Sequence, residues 1–164
     1  MSGTGKTALV EQLRLESYPC FPEPARQILE AHLPEEGDGF AASFIELMLK
    51  QSLSDFHAAP SGISFYDRGL PDTAAYAIRF GVDPEPCMMA AESLRYETQV
   101  FVAPPWPDIF VHDEYRRAPY DDYVQFHKRL LETYQLLGYT LVELPKDSVS
   151  KRVKFVQSRI EGGT

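Results

Sequence analysis

The amino-acid sequence predicts an α/β domain in which helices cover both faces of a parallel sheet. Two observations lead to this prediction: short β-rich runs alternate with longer stretches of helical periodicity, and a glycine-rich loop directly precedes the first of these stretches. Strands that are separated by helices are typical of parallel sheets, because the helices make the crossover connections.

The first third of the chain predicts three helices. Residues 7–15 place their apolar side chains on one helical face. Residues 24–33 form the second helix, with Pro24 in its first turn and Pro34 just beyond its end. Residues 40–56 keep helical spacing over more than four turns and form the third.

The central part of the chain predicts one strand and two helices. The run 63–67 is rich in β-forming residues and follows a Pro-Ser-Gly turn, so we expect a strand. Residues 71–80 are predicted to be helical up to Gly81, and residues 86–94 form the next helix.

The last third predicts two strands and two helices. Residues 99–102 form a short strand, which two prolines end, and residues 104–119 form a charged loop. Residues 121–137 are the most periodic helix, 140–144 a strand, and 148–160 a terminal helix whose first residue is a capping serine.

Length and composition are those of one globular domain over residues 1–164. Hydrophobic residues make up 44% and charged residues 24% of the chain. The two cysteines form no CxxC or Cys/His cluster, which argues against a disulfide scaffold or a zinc module. No apolar run approaches the roughly 18 residues of a membrane span. We therefore expect a cytoplasmic protein without a membrane partner.

The net charge of −8 bears on possible partners. An acidic chain without a long Lys/Arg stripe is a poor candidate for sequence-independent nucleic-acid binding. We expect the partners to be small molecules, while the oligomeric state stays open.

A phosphate-binding loop is the strongest motif. Gly3, Thr4, Gly5, Lys6 and Thr7 form the second half of the pattern GxxxxGK[ST]. Glycines let backbone N–H groups approach phosphate oxygens, the lysine brings charge to the β- and γ-phosphates, and the threonine hydroxyl ligates Mg²⁺. The pattern predicts a site for ATP or GTP with Mg²⁺; a glycine-rich turn that only caps the helix is the alternative.

The strand that normally precedes such a loop is absent from the sequence, as is the first glycine of the pattern. In P-loop folds this strand is central, so its neighbours would lose their pairing without it. We expect the natural protein to begin roughly a dozen residues upstream.

Asp67 ends a predicted strand and is followed at once by Arg68. A carboxylate at that place can organise Mg²⁺ or accept a proton, although it can also simply cap a turn. Glu23 stands just before a helix, where it is either a carboxylate favoured by the helix dipole or a contact to substrate or metal.

Basic residues elsewhere have two readings. Arg116 and Arg117, in the charged loop, are either lid cations that neutralise a transferring phosphoryl group or solvated ion-pair partners. Lys151, Arg152 and Lys154 are expected to form the solvated face of the last helix.

Six segments between Met1 and about Ile160 carry a resemblance to other proteins: SGTGKT, FPEPAR (21–26), YDRGLPD (66–72), RY (95–96), VFVAPPWP (100–107) and DEYRR (113–117). Together they resemble a known family, the small bacterial AAA-type predicted ATPases. That group is similar to the ribosylnicotinamide kinase domain and, more distantly, to thymidylate and deoxynucleoside kinases.

The resemblance implies a three-layer P-loop NTPase fold of the nucleotide-kinase kind. By the same resemblance, Asp67 and Arg68 match the acidic-Arg pair after the third strand of those kinases, Glu23 lies near the acceptor, and Arg116 and Arg117 fall where lid arginines stand. The chain departs from the family in the absent first strand and first glycine, and in Pro24, where a small residue is more usual.

The predicted function is Mg²⁺-ATP-dependent phosphoryl transfer to a small, nucleoside-like acceptor. Lys6, Asp67, Arg116 and Arg117 are the candidate catalytic residues, Thr7 and Asp67 the metal ligands, and Glu23 and Arg68 the acceptor contacts. Two alternatives stay open: simple ATP or GTP hydrolysis, and a nucleotide-dependent switch without an acceptor.

Overall fold

Helices and short strands alternate along the chain, as the sequence predicts. The computed structural model describes residues 4–31, 37, 39–109 and 119–162. The elements are α1 (Lys6–Leu15), β1 (Cys20–Phe21), α2 (Pro24–Glu30), α3 (Phe40–Ala58), β2 (Phe65–Tyr66), α4 (Leu70–Arg79), α5 (Glu85–Ser93), β3 (Gln99–Val102), a 3₁₀ turn (Pro107–Ile109), α6 (Tyr120–Leu136), β4 (Thr140–Glu143) and α7 (Val149–Glu161).

The described strands pair as two parallel two-stranded sheets. β1 lies beside β2, with Cys20 opposite Phe65. β3 lies beside β4, with Gln99 opposite Thr140. The parallel direction of both pairs agrees with the prediction, because each pair is joined through helices. The predicted single sheet is divided into two among the described residues.

One edge of β2 and one edge of β3 have no strand partner among the described residues. The N–H groups of Phe65 and Asp67 donate to carbonyl oxygens of the β1 segment, so alternation turns the backbone of Tyr66 towards the other edge. Likewise the carbonyl oxygen of Val102 accepts from the β4 side, which leaves the backbone of Phe101 on the opposite edge.

The same helices pack against both sheets. One apolar cluster joins α1 and α7 to side chains from both sheets; it includes Leu9, Leu13, Phe65, Phe101, Leu144, Val153 and Val156. A second cluster joins α4 and α5 to Val100 of β3. The ring of Tyr66 reaches this second cluster through Tyr96, with 4.9 Å between the ring centroids. α1 and α7 therefore contact side chains of both sheets, and the α4–α5 pair contacts β3.

The observed bounds differ from the predicted ones mainly where elements are short. β1 was not predicted, because two residues between Pro19 and Pro22 are too few to show a period-2 pattern. β2 covers two of the five residues predicted for its strand. The predicted helix 24–33 ends at Glu30, and Ala31 is its C-cap.

The last helix corrects one expectation about its charged residues. Ser148 caps α7 as predicted, since its hydroxyl oxygen accepts from the backbone N–H of Lys151 at 3.4 Å. Lys151 and Lys154 are exposed, but Arg152 is buried. The expectation of a solvated Arg152 is wrong because its side chain lies on the same face of α7 as Val153 and Val156.

Within the described ranges, no helix combines the length and the apolar content needed to cross a membrane.

Candidate functional site

The phosphate-loop residues lie directly before α1, with their backbone in the conformation that a glycine allows. Gly5 is the N-cap of α1 and has φ +67°, in the left-handed region. Lys6 is the first helical residue and the exposed Thr7 the second. Buried Leu9 and Leu13 anchor the helix against α7 and the sheets. The free N–H groups of the first turn therefore lie beside the lysine and the threonine hydroxyl, as an anion site requires.

Asp67 follows β2 and comes together with Lys6, although 60 residues separate them in sequence. Its carboxylate is 6% exposed and accepts a hydrogen bond from the Lys6 ammonium. Its backbone N–H donates to the carbonyl oxygen of Phe21 at 2.8 Å, which extends the β1–β2 ladder by one step. The strand therefore brings the carboxylate of Asp67 to the lysine of the loop.

Glu23 joins the same group from the end of the β1 segment. It occupies the N-cap position of α2, yet its side chain makes no capping hydrogen bond. One carboxylate oxygen lies 3.8 Å from Lys6 Nζ, and the other lies 3.7 Å from Arg68 Nε. Glu23 thus stands at the start of a helix and beside two cations of the site, so both readings of Glu23 stay open.

Arg68 has an unusual backbone conformation, with φ +84°. A non-glycine residue in the left-handed region costs free energy and persists only where its surroundings hold it. Arg68 Nη1 donates to Asp72 Oδ1 at 3.0 Å, and its side chain is 17% exposed. Burial alone lowers the pKa of this guanidinium, but the charges of Asp72, Glu23 and Asp67 outweigh it, so the pKa lies above its usual value.

Asp72 and Tyr134 hold Arg68 in place, and neither residue was among the predicted site residues. Asp72 is 1% exposed; besides pairing with Arg68 it accepts from the Gly69 N–H at 2.8 Å and from the Tyr134 hydroxyl. Burial, followed by the charge of Asp72, raises the pKa of Tyr134, so this hydroxyl stays protonated and donates. An acidic residue three positions after the N-cap Gly69 was the signal that could have identified Asp72, since its carboxylate accepts the N-cap N–H.

The structure therefore brings together five predicted site residues: Thr7, Lys6, Glu23, Asp67 and Arg68. Thr4 and Gly5 precede them in the loop. Gly3, Arg116 and Arg117 lie outside the described residues. A cleft of about 220 Å³ borders the group; Thr7 and Asp67 are among its lining residues, and α1 and the β1 segment line the rest.

Comparison with known proteins identifies the family. A family model described as an AAA domain matches residues 2–152, which is most of the chain. The chain belongs to the AAA domain family. A search of curated proteins gives no match. The AAA domain match supports a nucleotide-binding P-loop NTPase of α/β fold, and members of this kind generally bind nucleotide with Mg²⁺.

The residues of this AAA domain fit a magnesium nucleotide. Mg²⁺ prefers oxygen ligands and keeps few protein ligands beside the phosphates, and Thr7 and Asp67 offer a hydroxyl and a carboxylate at one cleft. In the described part of the chain, no group of three or more His, Cys, Asp or Glu side chains is placed to hold a metal. The two cations Lys6 and Arg68 lie among the carboxylates of Glu23, Asp67 and Asp72. Because the carboxylates outnumber the cations, a polyanion binds here more favourably when a divalent cation accompanies it.

Proposed function

We propose that this AAA domain transfers a phosphoryl group from a magnesium nucleotide, ATP or GTP, to a small nucleoside-like acceptor. The observation that carries the proposal is the convergence of Lys6, Glu23, Asp67 and Arg68 at the ends of β1 and β2. Lys6 and the loop N–H groups hold the phosphates, while Thr7 and Asp67 hold Mg²⁺, which supplies charge neutralisation at the transferring group. Phosphoryl transfer depends mainly on such positioning and charge.

The charged residues that the phosphate loop does not need support transfer to an acceptor molecule rather than to water alone. Arg68, Glu23 and Asp72 form a partly buried charged network that phosphate binding by the loop does not require. Arg68 and Glu23 offer donors and acceptors to the hydroxyl groups of a small molecule. In the alternative to its role at Mg²⁺, Asp67 accepts the proton of the attacking hydroxyl. Arg116 and Arg117 are proposed as the lid cations that steady the transferring phosphoryl group.

Turnover with labelled nucleotide tests the proposal. The protein is incubated with γ-labelled ATP or GTP, Mg²⁺ and a panel of nucleosides and nucleotides. A labelled acceptor supports a kinase, and free phosphate alone identifies a hydrolase. Tight retention of nucleotide without either product favours a switch.

Two variants separate the roles within the site. Lys6→Ala is expected to abolish turnover, while Lys50→Ala, which removes an exposed lysine on α3, leaves it unchanged. Glu23→Gln is expected to raise the KM for the acceptor and to leave the KM for the nucleotide within about twofold. Circular dichroism checks that each variant is folded. Wild-type turnover in Lys6→Ala contradicts the proposed phosphate site.

We also infer that a further parallel strand completes a three-layer fold between β2 and β3. The support is the unpaired edge on each of these strands and the helices shared by both sheets. Slow amide hydrogen exchange at Tyr66 and Phe101, whose backbone faces these edges, supports this inference, and exchange at the rate of a solvent-exposed amide contradicts it.

A further inference from the structure

Arg152 is a buried cation directly behind the phosphate loop. It lies on α7, is 1% exposed, and donates from Nη1 to the carbonyl oxygen of Thr4 at 2.7 Å. Its other donors, Nε and Nη2, are buried without a hydrogen-bond partner. The Trp106 ring lies over the guanidinium, 6.0 Å from its carbon atom.

Packing alone does not account for an arginine at this position. Val149, Val153 and Val156 continue the same face of α7 as apolar side chains. Arg152 forms no ion pair with a carboxylate in the described residues, and burial lowers its pKa. An apolar side chain of similar size avoids both the desolvation of the charge and the two unsatisfied donors. The arginine thus carries a burial cost that packing does not explain, which points to a role in binding.

The hydrogen bond from Arg152 to Thr4 orients the peptide unit between Thr4 and Gly5. The chain contains no cis peptide among the described residues, so the Thr4 carbonyl and the Gly5 N–H point in opposite directions from their shared peptide plane. Arg152 holds the carbonyl on the α7 side of the loop. The Gly5 N–H is therefore directed away from α7, and Gly5 keeps the left-handed conformation that leads into α1.

We propose that Arg152 is a positioning residue for the nucleotide phosphates. It holds the Thr4–Gly5 peptide with its N–H directed at the phosphates, and its charge, kept from water by burial, adds to their attraction. This inference rests on the nucleotide site of the proposed function. It assigns a role in phosphate affinity to a residue on the last helix, outside the loop motif.

The test compares ligands with and without phosphates. Arg152→Met keeps the approximate size and removes the charge and the donors, whereas Arg152→Lys keeps the charge. Arg159→Met is the matched control, because Arg159 is an exposed arginine on the same helix that stacks on Phe155. Dissociation constants for ATP, ADP and adenosine are measured by titration calorimetry with Mg²⁺, and the melting temperature is measured without ligand.

Arg152→Met is expected to weaken ATP binding about tenfold or more, as loss of a charge-assisted contact implies. Adenosine binding should change less than about twofold, and the ligand-free melting temperature should stay the same or rise. Arg152→Lys should recover part of the ATP affinity, and Arg159→Met should match wild type.

Three results overturn the role. Unchanged ATP affinity in Arg152→Met overturns it directly. An equal loss for ATP and adenosine together with a lower melting temperature shows a structural residue instead. If wild-type protein binds neither ATP nor GTP, the proposed function fails and the role of Arg152 fails with it. If wild-type protein binds ATP and Arg152→Met binds it equally well, only the role of Arg152 fails and the proposed nucleotide site stands.

Discussion

Replacing Asp72 by asparagine tests whether a buried ion pair holds Arg68 and the start of α4. Asp72 is 1% exposed and has three partners: Arg68 Nη1 at 3.0 Å, the Gly69 N–H at 2.8 Å and the Tyr134 hydroxyl. Asparagine has nearly the same shape but carries no charge, and its amide group has only one oxygen. It therefore leaves Arg68 without its nearest carboxylate and one of the three donors without an acceptor.

The expected loss follows from the burial of the pair. Removing one partner of a buried ion pair costs about 3–5 kcal/mol of unfolding free energy. Arg68 keeps Glu23 as a second carboxylate at 3.7 Å, so we expect the lower end, about 3 kcal/mol. At about 2–4 °C per kcal/mol for a domain of this size, the melting temperature should fall by roughly 6–12 °C.

Urea unfolding followed by circular dichroism measures this loss. Asp122→Asn is the control, because Asp122 is an exposed aspartate in the first turn of α6 and contributes at most about 1 kcal/mol to the helix dipole. Tyr134→Phe combined with Asp72→Asn gives a double-mutant cycle, in which the two losses should not add because both residues share one network. If Asp72→Asn unfolds within about 1 kcal/mol of wild type, the network does not stabilise the fold as argued.

Two further predictions concern Gly69 and His127. A Cβ at Gly69 would lie 2.9 Å from a ring atom of Tyr96, so Gly69→Ala should lose about 1–3 kcal/mol in the same urea assay, and a Tyr96→Leu background should remove most of that loss. Burial, and then the charge of Arg68, lowers the pKa of His127 below its usual 6.5, so the unfolded chain binds the proton more readily. The stabilisation that comes from neutral His127 should therefore be fully present above about pH 6.5. It should decline as the pH falls through the lowered pKa of the folded state. The decline should be smaller in His127→Gln, and equal slopes in the two proteins would show that this histidine does not contribute.

Local patterns were enough for the elements that have many periodic residues. Helices such as α3 and α6, and the strand β3, appear at or near their predicted bounds because their patterns span several turns or a full strand. β1 escaped prediction because its two residues carry no period of their own. It becomes a strand only because β2 offers hydrogen-bond partners along its edge.

The candidate site was predictable as residue types but not as an arrangement. Lys6 and Asp67 could be selected because a loop motif and a strand end each have a recognisable local signature. Asp72 and Arg152 were harder to select, because a capping residue and a helix-surface residue have ordinary local roles. The stripe of Val149, Val153 and Val156 places position 152 on the buried face, so helical spacing was the available signal for Arg152.

The sequence by itself determined the order of the helices and of every strand except β1, the phosphate loop and the identity of its lysine and threonine. These features depend on residues that are neighbours along the chain, so the chain's local chemistry is sufficient to specify them. Only the tertiary structure decided that Lys6 meets Asp67 and Glu23, that Arg68 is held in a left-handed conformation by Asp72, and that Arg152 supports the loop from behind. Each of these contacts depends on how the helices pack against the two sheets, and no local pattern records which side chains that packing brings within hydrogen-bond distance.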